Sequence, residues 1–444
     1  MTVEPREPVE VAVHADQPRK REESVRGAKS FVIDKMEVWV AYQRVKANGG
    51  SAGVDAQSMK EFEEDLKGNL YKLWNRMASG CYMPPAVKRI EIPKRDGGVR
   101  PLGIPTVTDR IAQTVVKRRI EPLIDPIFHN DSYGYRPGRS AHDALAQTRQ
   151  RCWARDWVLD VDIKGFFDNL DHRLLMRAVR KHVREQWAVL YIERWLRAEV
   201  QMPNGSRQAA TAGTPQGGVI SPLLANLFLH YAFDAWVQRE MPNMWFERYA
   251  DDIVCHCNSL KQAHWLKDKL QQRLAECGLQ LHPQKTKIVY CRDEKRTQDH
   301  PVIRFDFLGY EFRPRSVKRK GERYTLGFVP AISPQAAKDI RRCLKGWGFS
   351  RKSTWTVERL AHHWNPILRG WMQYYGQFYR SKLQVVINQF DRWLAKWMAS
   401  KYGRSERSHC VLSKIARMRE LNRNLFVHWQ WTTRYSGHTS TRAV

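Results

Sequence analysis

The sequence predicts an α+β fold, on three observations. Runs of period two flank a pair of adjacent acids, Asp251-Asp252, and another such run carries Asp160 and Asp162. A glycine-rich turn, Arg95-Asp96-Gly97-Gly98, separates two further strand-like runs, Lys88 to Lys94 and Val99 to Ile104. Helical spacing dominates the last third of the chain, from Ser333 to Lys401. Strand signals ahead and helical signals behind give the α+β pattern.

The first 30 residues hold 6 basic and 6 acidic residues and three prolines, with little periodicity. They read as a flexible tail. They lack the apolar core of a signal peptide and carry too many acids for a transit peptide. From Val38 an amphipathic helix is expected, ending at Asn48-Gly49-Gly50. The Lys88–Ile104 region reads as a β-hairpin. Lys94 and Arg100 are expected nearly opposite each other on it. Paired cations there suit a triphosphate; a solvated basic hairpin is the plainer reading in isolation.

The run Trp157 to Ile163 alternates. Val158, Asp160 and Asp162 share one face, and Leu159, Val161 and Ile163 the other. A carboxylate among apolar neighbours is costly unless paired or metal-bound. Next, Gly213-Thr214-Pro215-Gln216-Gly217-Gly218 marks a fixed turn, and Ser221-Pro222 a helix start, with the serine as N-cap. The acids of Tyr249-Ala250-Asp251-Asp252 then lie in a tight turn between strands. Such neighbours repel unless a cation lies between them. Phosphoryl-transfer enzymes use carboxylates of this kind to hold two divalent metals about 4 Å apart.

The chain has 444 residues and a formal charge of +29. That balance points to a polyanionic partner and to salt-dependent binding. From Arg313 to Val444 there are 27 basic and only 6 acidic residues, so most of the surplus lies in the last third. This suggests a large polyanion-binding surface there. No run of 18 or more apolar residues exists, so no membrane span is expected. The eight cysteines show no C-x-x-C. Cys255-His256-Cys257 alternates along a strand, so reduced thiols rather than a zinc site are expected.

Taken in order, these residues resemble one family. Ile92-Pro93-Lys94-Arg95-Asp96-Gly97-Gly98-Val99-Arg100-Pro101-Leu102-Gly103-Ile104-Pro105 resembles the fingers block of group II intron reverse transcriptase/maturases. So do Ser132-Tyr133-Gly134-Tyr135-Arg136-Pro137-Gly138-Arg139-Ser140-Ala141-His142 and the run Asp162 to His172. Thr214 to Gly218, Tyr249 to Asp252, Gly278 to Lys287 and Phe305-Asp306-Phe307-Leu308-Gly309-Tyr310 resemble the palm series. The resemblance implies a right-hand polymerase with fingers, an antiparallel palm sheet and an α-helical thumb/maturase domain. It puts the metal-binding acids on Asp162, Asp251 and Asp252, with Asp160 the rival for the first place. Phe167 falls on the aromatic sugar gate, Lys94 and Arg100 on the triphosphate contacts, and Gln216 on the residue lining the nucleotide. Lys285 falls on the candidate proton donor to pyrophosphate. Two Mg2+ ions are the implied cofactor.

Three C-terminal helices are expected: Ser333 to about Trp347, Ile367 to Tyr379, and Leu383 to Lys401. Trp371, Tyr374, Tyr375 and Phe378 recur at helical spacing, which favours core packing over base stacking. Lys318, Arg319 and Lys320 on a basic tip, and Arg369 and Arg380 beside the stripe, are the RNA-binding candidates. Arg369-Gly370-Trp371-Met372-Gln373-Tyr374-Tyr375 resembles the maturase domain, which binds intron RNA. Too few residues follow Lys401 for the HNH endonuclease that many relatives carry, so intron mobility without an endonuclease of its own is the expectation.

The expected organisation is a tail to residue 30, an N-terminal extension over 31–86, fingers and palm over 87–312, thumb/maturase over 313–401 and a basic segment over 402–444. The expected partners are group II intron RNA, an RNA template with its DNA primer, and dNTPs. The expected setting is the cytoplasm, at the nucleoid when on a DNA target. Two other readings stay open: a domesticated reverse transcriptase in defence or spacer acquisition, and a non-catalytic RNA-binding splicing factor.

Overall fold

The computed structural model describes residues 31–93, 98–318, 324–402 and 408–431. The expected tail, and with it Lys94, Arg319 and Lys320, lie outside the described residues.

The first helix among the described residues is Lys35–Asn48, closed by Gly49 at φ 64° as the glycine signal predicts. Two strands follow as a hairpin, β1 (Val87–Pro93) and β2 (Val99–Ile104). The register pairs Ile92 with Arg100. Arg100 therefore faces Ile92 across the ladder, while the expected near-opposition of Arg100 and Lys94 falls outside the described residues.

The central sheet is antiparallel, in the order β6-β7-β3-β8. Its strands are β3 (Trp157–Val161), β6 (Trp245–Tyr249), β7 (Asp252–Cys257) and β8 (Lys287–Tyr290). Two short strands between them, β4 (Val200–Gln201) and β5 (Arg207–Gln208), extend the hairpin sheet. One face of the central sheet packs on Val107–Ile124, Ser221–Leu229 and Leu260–Glu276, where Leu159, Phe246, Ile253, Leu224, Val115 and Leu270 share one core. The other face, with Val158, Val254 and Val289, joins a second core with Phe305, Phe312 and Phe328.

A third sheet, β9 (Phe305–Phe307), β10 (Tyr310–Lys318) and β11 (Tyr324–Ile332), leads into the C-terminal helices. These are Pro334–Gly346, Val357–Tyr375, Arg380–Tyr402 and Ser408–Leu421. Ser333 caps the first by accepting from the Ala336 N–H at 3.1 Å. The second begins ten residues before the expected Ile367, capped by Thr356 and with Pro366 inside it. Trp371 stacks on Trp347, which stacks on Trp364, with centroids 5.6 and 4.8 Å apart. Tyr374 and Phe378 pack on Tyr310 of β10. The aromatic stripe is core.

The two lobes meet at the β9–β10 turn. Leu308 and Gly309 both have positive φ, and the Tyr374 hydroxyl donates to the Leu308 carbonyl at 2.9 Å. His142, on the helix Ala141–Ala154, donates from Nε2 to the Tyr374 carbonyl at 2.8 Å. Among the described residues no helix is long and apolar enough to cross a membrane.

Candidate active site

The turn between β6 and β7 has two residues, Ala250 and Asp251, with Tyr249 paired to Asp252. Ala250 stands at φ 57°. Two-residue hairpins need such left-handed residues to match the strand twist, and a residue with a Cβ pays strain for it. The turn is held from behind. Arg248 donates from Nη1 to the Ala250 carbonyl at 3.1 Å and to Asn226 Oδ1 at 2.8 Å. Its Nε and Nη2 reach the two carboxylate oxygens of Asp234. Asp234 is delivered by a π-helical stretch, His230–Asp234, in the otherwise α-helical run from Ser221 to Glu240. From the side, Gly134 presses on the turn; a Cβ there would lie 2.4 Å from the Ala250 nitrogen.

Asp162 arrives from the neighbouring strand. β3 and β7 pair Val161 with Ile253, so one step further Asp162 and Asp252 face each other at the end of the ladder. The Asp162 backbone is fixed by the loop that follows the helix Leu260–Glu276: its carbonyl accepts from His282 N–H at 2.8 Å and its N–H donates to Thr286 Oγ1 at 3.3 Å. Lys285 lies exposed in this same loop.

The electrostatics report the crowding. Asp252 is solvent-accessible and Asp251 half-buried, both at the end of the sheet. Burial, and then Asp251 and Asp162, push the Asp252 carboxyl up to about 7. Burial and Asp162 raise Asp251, against the pull of Arg100 and Arg248. Asp160, two residues back on the same face, goes to about 8 through burial, Asp252 and Asp162, with Lys287 opposing. Among the described residues no three His, Cys, Asp or Glu side chains are gathered at metal-ligating distance. Asp162, Asp251 and Asp252 are thus brought to adjoining strand ends without forming a ready-made cage. Their chemistry fits a divalent cation. They are hard oxygen donors whose mutual repulsion a cation between them would relieve.

The described nucleotide candidates, Arg100, Phe167 and Gln216, lie beside them. Phe167 follows Asp162 on the turn Phe166–Asp168, half-buried, with its carbonyl accepting from Thr214 N–H at 2.8 Å. Gly213 allows this contact, since a Cβ there would come within 2.7 Å of the Phe167 and Asp168 carbonyl oxygens. Gln216 accepts through its carbonyl from Gly103 N–H at 2.8 Å and through Oε1 from Arg100 Nε at 3.0 Å. So β2, the Gly213–Gly218 loop and the Asp162–Phe167 loop converge on one place. Ser221 does not cap its helix as expected. Ile220 holds the cap position, and Thr214 Oγ1 donates to the Ser221 hydroxyl at 2.8 Å.

The RNA-binding candidates lie elsewhere. Lys318 is exposed at the end of β10, and Arg369 is exposed on Val357–Tyr375. Arg380 is exposed as well, but its guanidinium also packs over Trp431 at 5.2 Å. Sequence reasoning missed the network behind the turn. A charged Arg248 inside an alternating strand run was its one visible signal.

Residues 92–312 match the family model "Reverse transcriptase (RNA-dependent DNA polymerase)", and residues 337–417 match "Group II intron, maturase-specific domain". Protein YkfC of Escherichia coli is 32% identical over 321 residues, which cover 63% of this chain and 80% of that protein. The group II intron-encoded protein LtrA of Lactococcus lactis is 27% identical over 406 residues, covering 75% of this chain and 64% of LtrA. A structure of telomerase from Candida albicans with a fragment of telomeric RNA aligns at TM-score 0.43 and 12% identity, over 85% of this chain and 69% of its own. The chain belongs to the group II intron reverse transcriptase/maturase family: it is an RNA-directed DNA polymerase of divalent-metal-dependent, RNA-binding type, with a maturase domain for intron splicing.

Proposed function

We propose that this chain copies RNA into DNA from a primer 3′-hydroxyl at the adjoining strand ends that carry Asp162, Asp251 and Asp252, and that it binds its own group II intron RNA to assist splicing and mobility. The observation that carries the reading is the register that sets Asp162 against Asp252, with Asp251 in the adjoining turn.

The three aspartates would hold two Mg2+ ions, which when bound lower the pKa of the primer hydroxyl and offset charge on the triphosphate. The chain's residues do the rest by position and charge. Arg100, held by Gln216, takes the triphosphate with Lys94, and its planar fork suits a bidentate grip. Gln216 lines the nucleotide. Phe167 closes the space that a ribose 2′-hydroxyl would need. Lys285 gives a proton to the leaving pyrophosphate.

Fingers and palm occupy 87–312, behind an N-terminal extension over 31–86. The thumb/maturase region over 313–401 and the basic segment over 402–444 grip the intron RNA, through Lys318, Arg319, Lys320, Arg369 and Arg380 among others. The work is done in the cytoplasm, at the nucleoid once a DNA target is engaged.

The test is extension of a DNA primer on an RNA template by the purified chain with dNTPs and Mg2+, alongside filter binding of the intron RNA. Extension that requires Mg2+, with tight and salt-sensitive RNA binding, is expected. RNA binding with no extension under any divalent metal would leave a splicing factor only.

A further inference from the structure

Tyr135 holds a backbone conformation that its own side chain disfavours. Its φ is 56°, in the left-handed region that bulky residues rarely adopt. The chain on both sides imposes it. Gly134 is pressed against the Tyr249–Ala250 peptide, and its carbonyl accepts from Asn226 Nδ2 at 2.6 Å. Arg136 is clamped as well: its Nε donates to Asp125 Oδ1 at 2.8 Å, and its Nη1 to the His129 and Ser132 carbonyls at 2.8 and 2.9 Å.

The result turns an aromatic ring outward. Tyr135 is 51% exposed, so burial does not account for the strain. Its ring centroid lies 6.3 Å from that of Tyr249, beside the carboxylate turn. Burial of the phenol, and then Asp251 and Tyr249, raise its pKa, while Arg100 opposes them, so the hydroxyl is within electrostatic reach of both Asp251 and Arg100. Arg100 in turn is bonded to Gln216. Backbone strain on an exposed side chain, held from both sides and aimed at a reaction centre, points to function rather than to folding.

We propose that Tyr135 forms one wall of the incoming deoxynucleotide's site, its ring packing against the nucleotide between the Asp251 turn and the Arg100–Gln216 pair. The proposal rests on the reading of Arg100 and Gln216 as nucleotide contacts. It gives the Ser132–His142 motif a task beyond supporting the hairpin. The ring, not the hydroxyl, is the working part, since aromatic faces hold nucleotides regardless of sequence.

The test is single-nucleotide incorporation kinetics with the full chain, on wild type, Tyr135→Gly and Tyr135→Phe, with a thermal melt of each. Glycine accepts the left-handed backbone, so Tyr135→Gly melts no lower than wild type. Its KM for dNTP rises about tenfold with kcat changed less than about threefold, the size expected for a lost stacking surface. Tyr135→Phe restores the KM. A KM within about twofold of wild type in Tyr135→Gly, a lowered melt with a matching fall in kcat, or a phenylalanine variant as impaired as the glycine one would each overturn the proposal. Wild-type protein that extends no primer would overturn the underlying polymerase reading instead, and this inference with it.

Discussion

Arg248 grips both carboxylate oxygens of Asp234, from Nε at 2.7 Å and from Nη2 at 2.5 Å, and neither side chain is exposed. The remaining nitrogen, Nη1, supports the Ala250 carbonyl and Asn226. A fully buried ion pair contributes little net stability, because desolvation offsets the attraction; breaking one partner is what costs. The pair is therefore better understood as the brace of the Asp251 turn.

That brace is testable by removing one charge or both. Asp234→Ala leaves Arg248 buried and unpaired and should destabilise the chain by about 3–5 kcal/mol. The double variant Asp234→Leu with Arg248→Met should recover most of the melting temperature but not primer extension, since Ala250 and Asn226 lose their donor. A stable double variant with wild-type extension would show that the pair does not position the turn.

The carboxylates themselves predict a separation of chemistry from binding. Asp251→Ala with Asp252→Ala should abolish primer extension and leave intron RNA affinity within about twofold, because the basic residues proposed to hold the RNA lie elsewhere. Loss of both together would make these acids structural.

The same pair predicts a pH trend. Asp252 titrates near 7 in the folded chain, above the ordinary carboxylate range near 4. Between those values the folded state binds the extra proton, so its stability falls as pH rises. In chelator, the wild type should lose melting temperature from pH 5 to pH 8 relative to the double alanine variant. Parallel curves would mean that these acids do not raise one another's pKa.

Much of this site was legible in the sequence, and the parts that were not share a cause. Alternation correctly put Asp160 and Asp162 on one face, because period two is a local property of the strand. The hairpin was legible too, but the pairing of Arg100 with Ile92 depends on how many residues the turn consumes. Ser221 is a helix-start residue, as its Pro222 neighbour suggests, yet Thr214 takes its hydroxyl and Ile220 becomes the cap. The helix expected from Ile367 starts at Val357, because Leu360 and Trp364 pack into the C-terminal core and carry it through Pro366. The Arg248–Asp234 brace and the strained Tyr135 depend on contacts between residues far apart in the chain, which no local pattern encodes.

Phe167 makes the sugar-gate assignment falsifiable. It is half-buried and packs edge-on against Phe166, with centroids 5.3 Å apart, so part of its ring serves the core. If the exposed part guards the sugar, Phe167→Ala should reduce discrimination against ribonucleotides at least about tenfold, the scale of one lost steric contact. Incorporation of rNTP and dNTP by the same preparation separates this from general damage, which would lower both rates alike.

The C-terminal lobe has its own electrostatic node. Asp391 accepts from Arg419 Nη2 at 2.6 Å, His428 Nε2 at 2.9 Å and Trp429 Nε1 at 3.0 Å, tying the helix Arg380–Tyr402 to Ser408–Leu421 and to the turn Val427–Trp431. Burial alone would raise its pKa, but His428, Trp429 and Arg419 together hold it below the ordinary value. A carboxyl depressed on folding stabilises the fold above its unfolded pKa, and that stability is lost as pH falls through the folded pKa. The sensitive window is thus below about pH 4. Asp391→Asn should cost about 3 kcal/mol at pH 7 by leaving Arg419 without its counter-charge. The gap between variant and wild type should narrow in urea melts at pH 3, where the wild-type carboxyl begins to protonate. An equal gap at both pH values would mean that Asp391 acts through packing and hydrogen-bond geometry, with its charge irrelevant to the lobe.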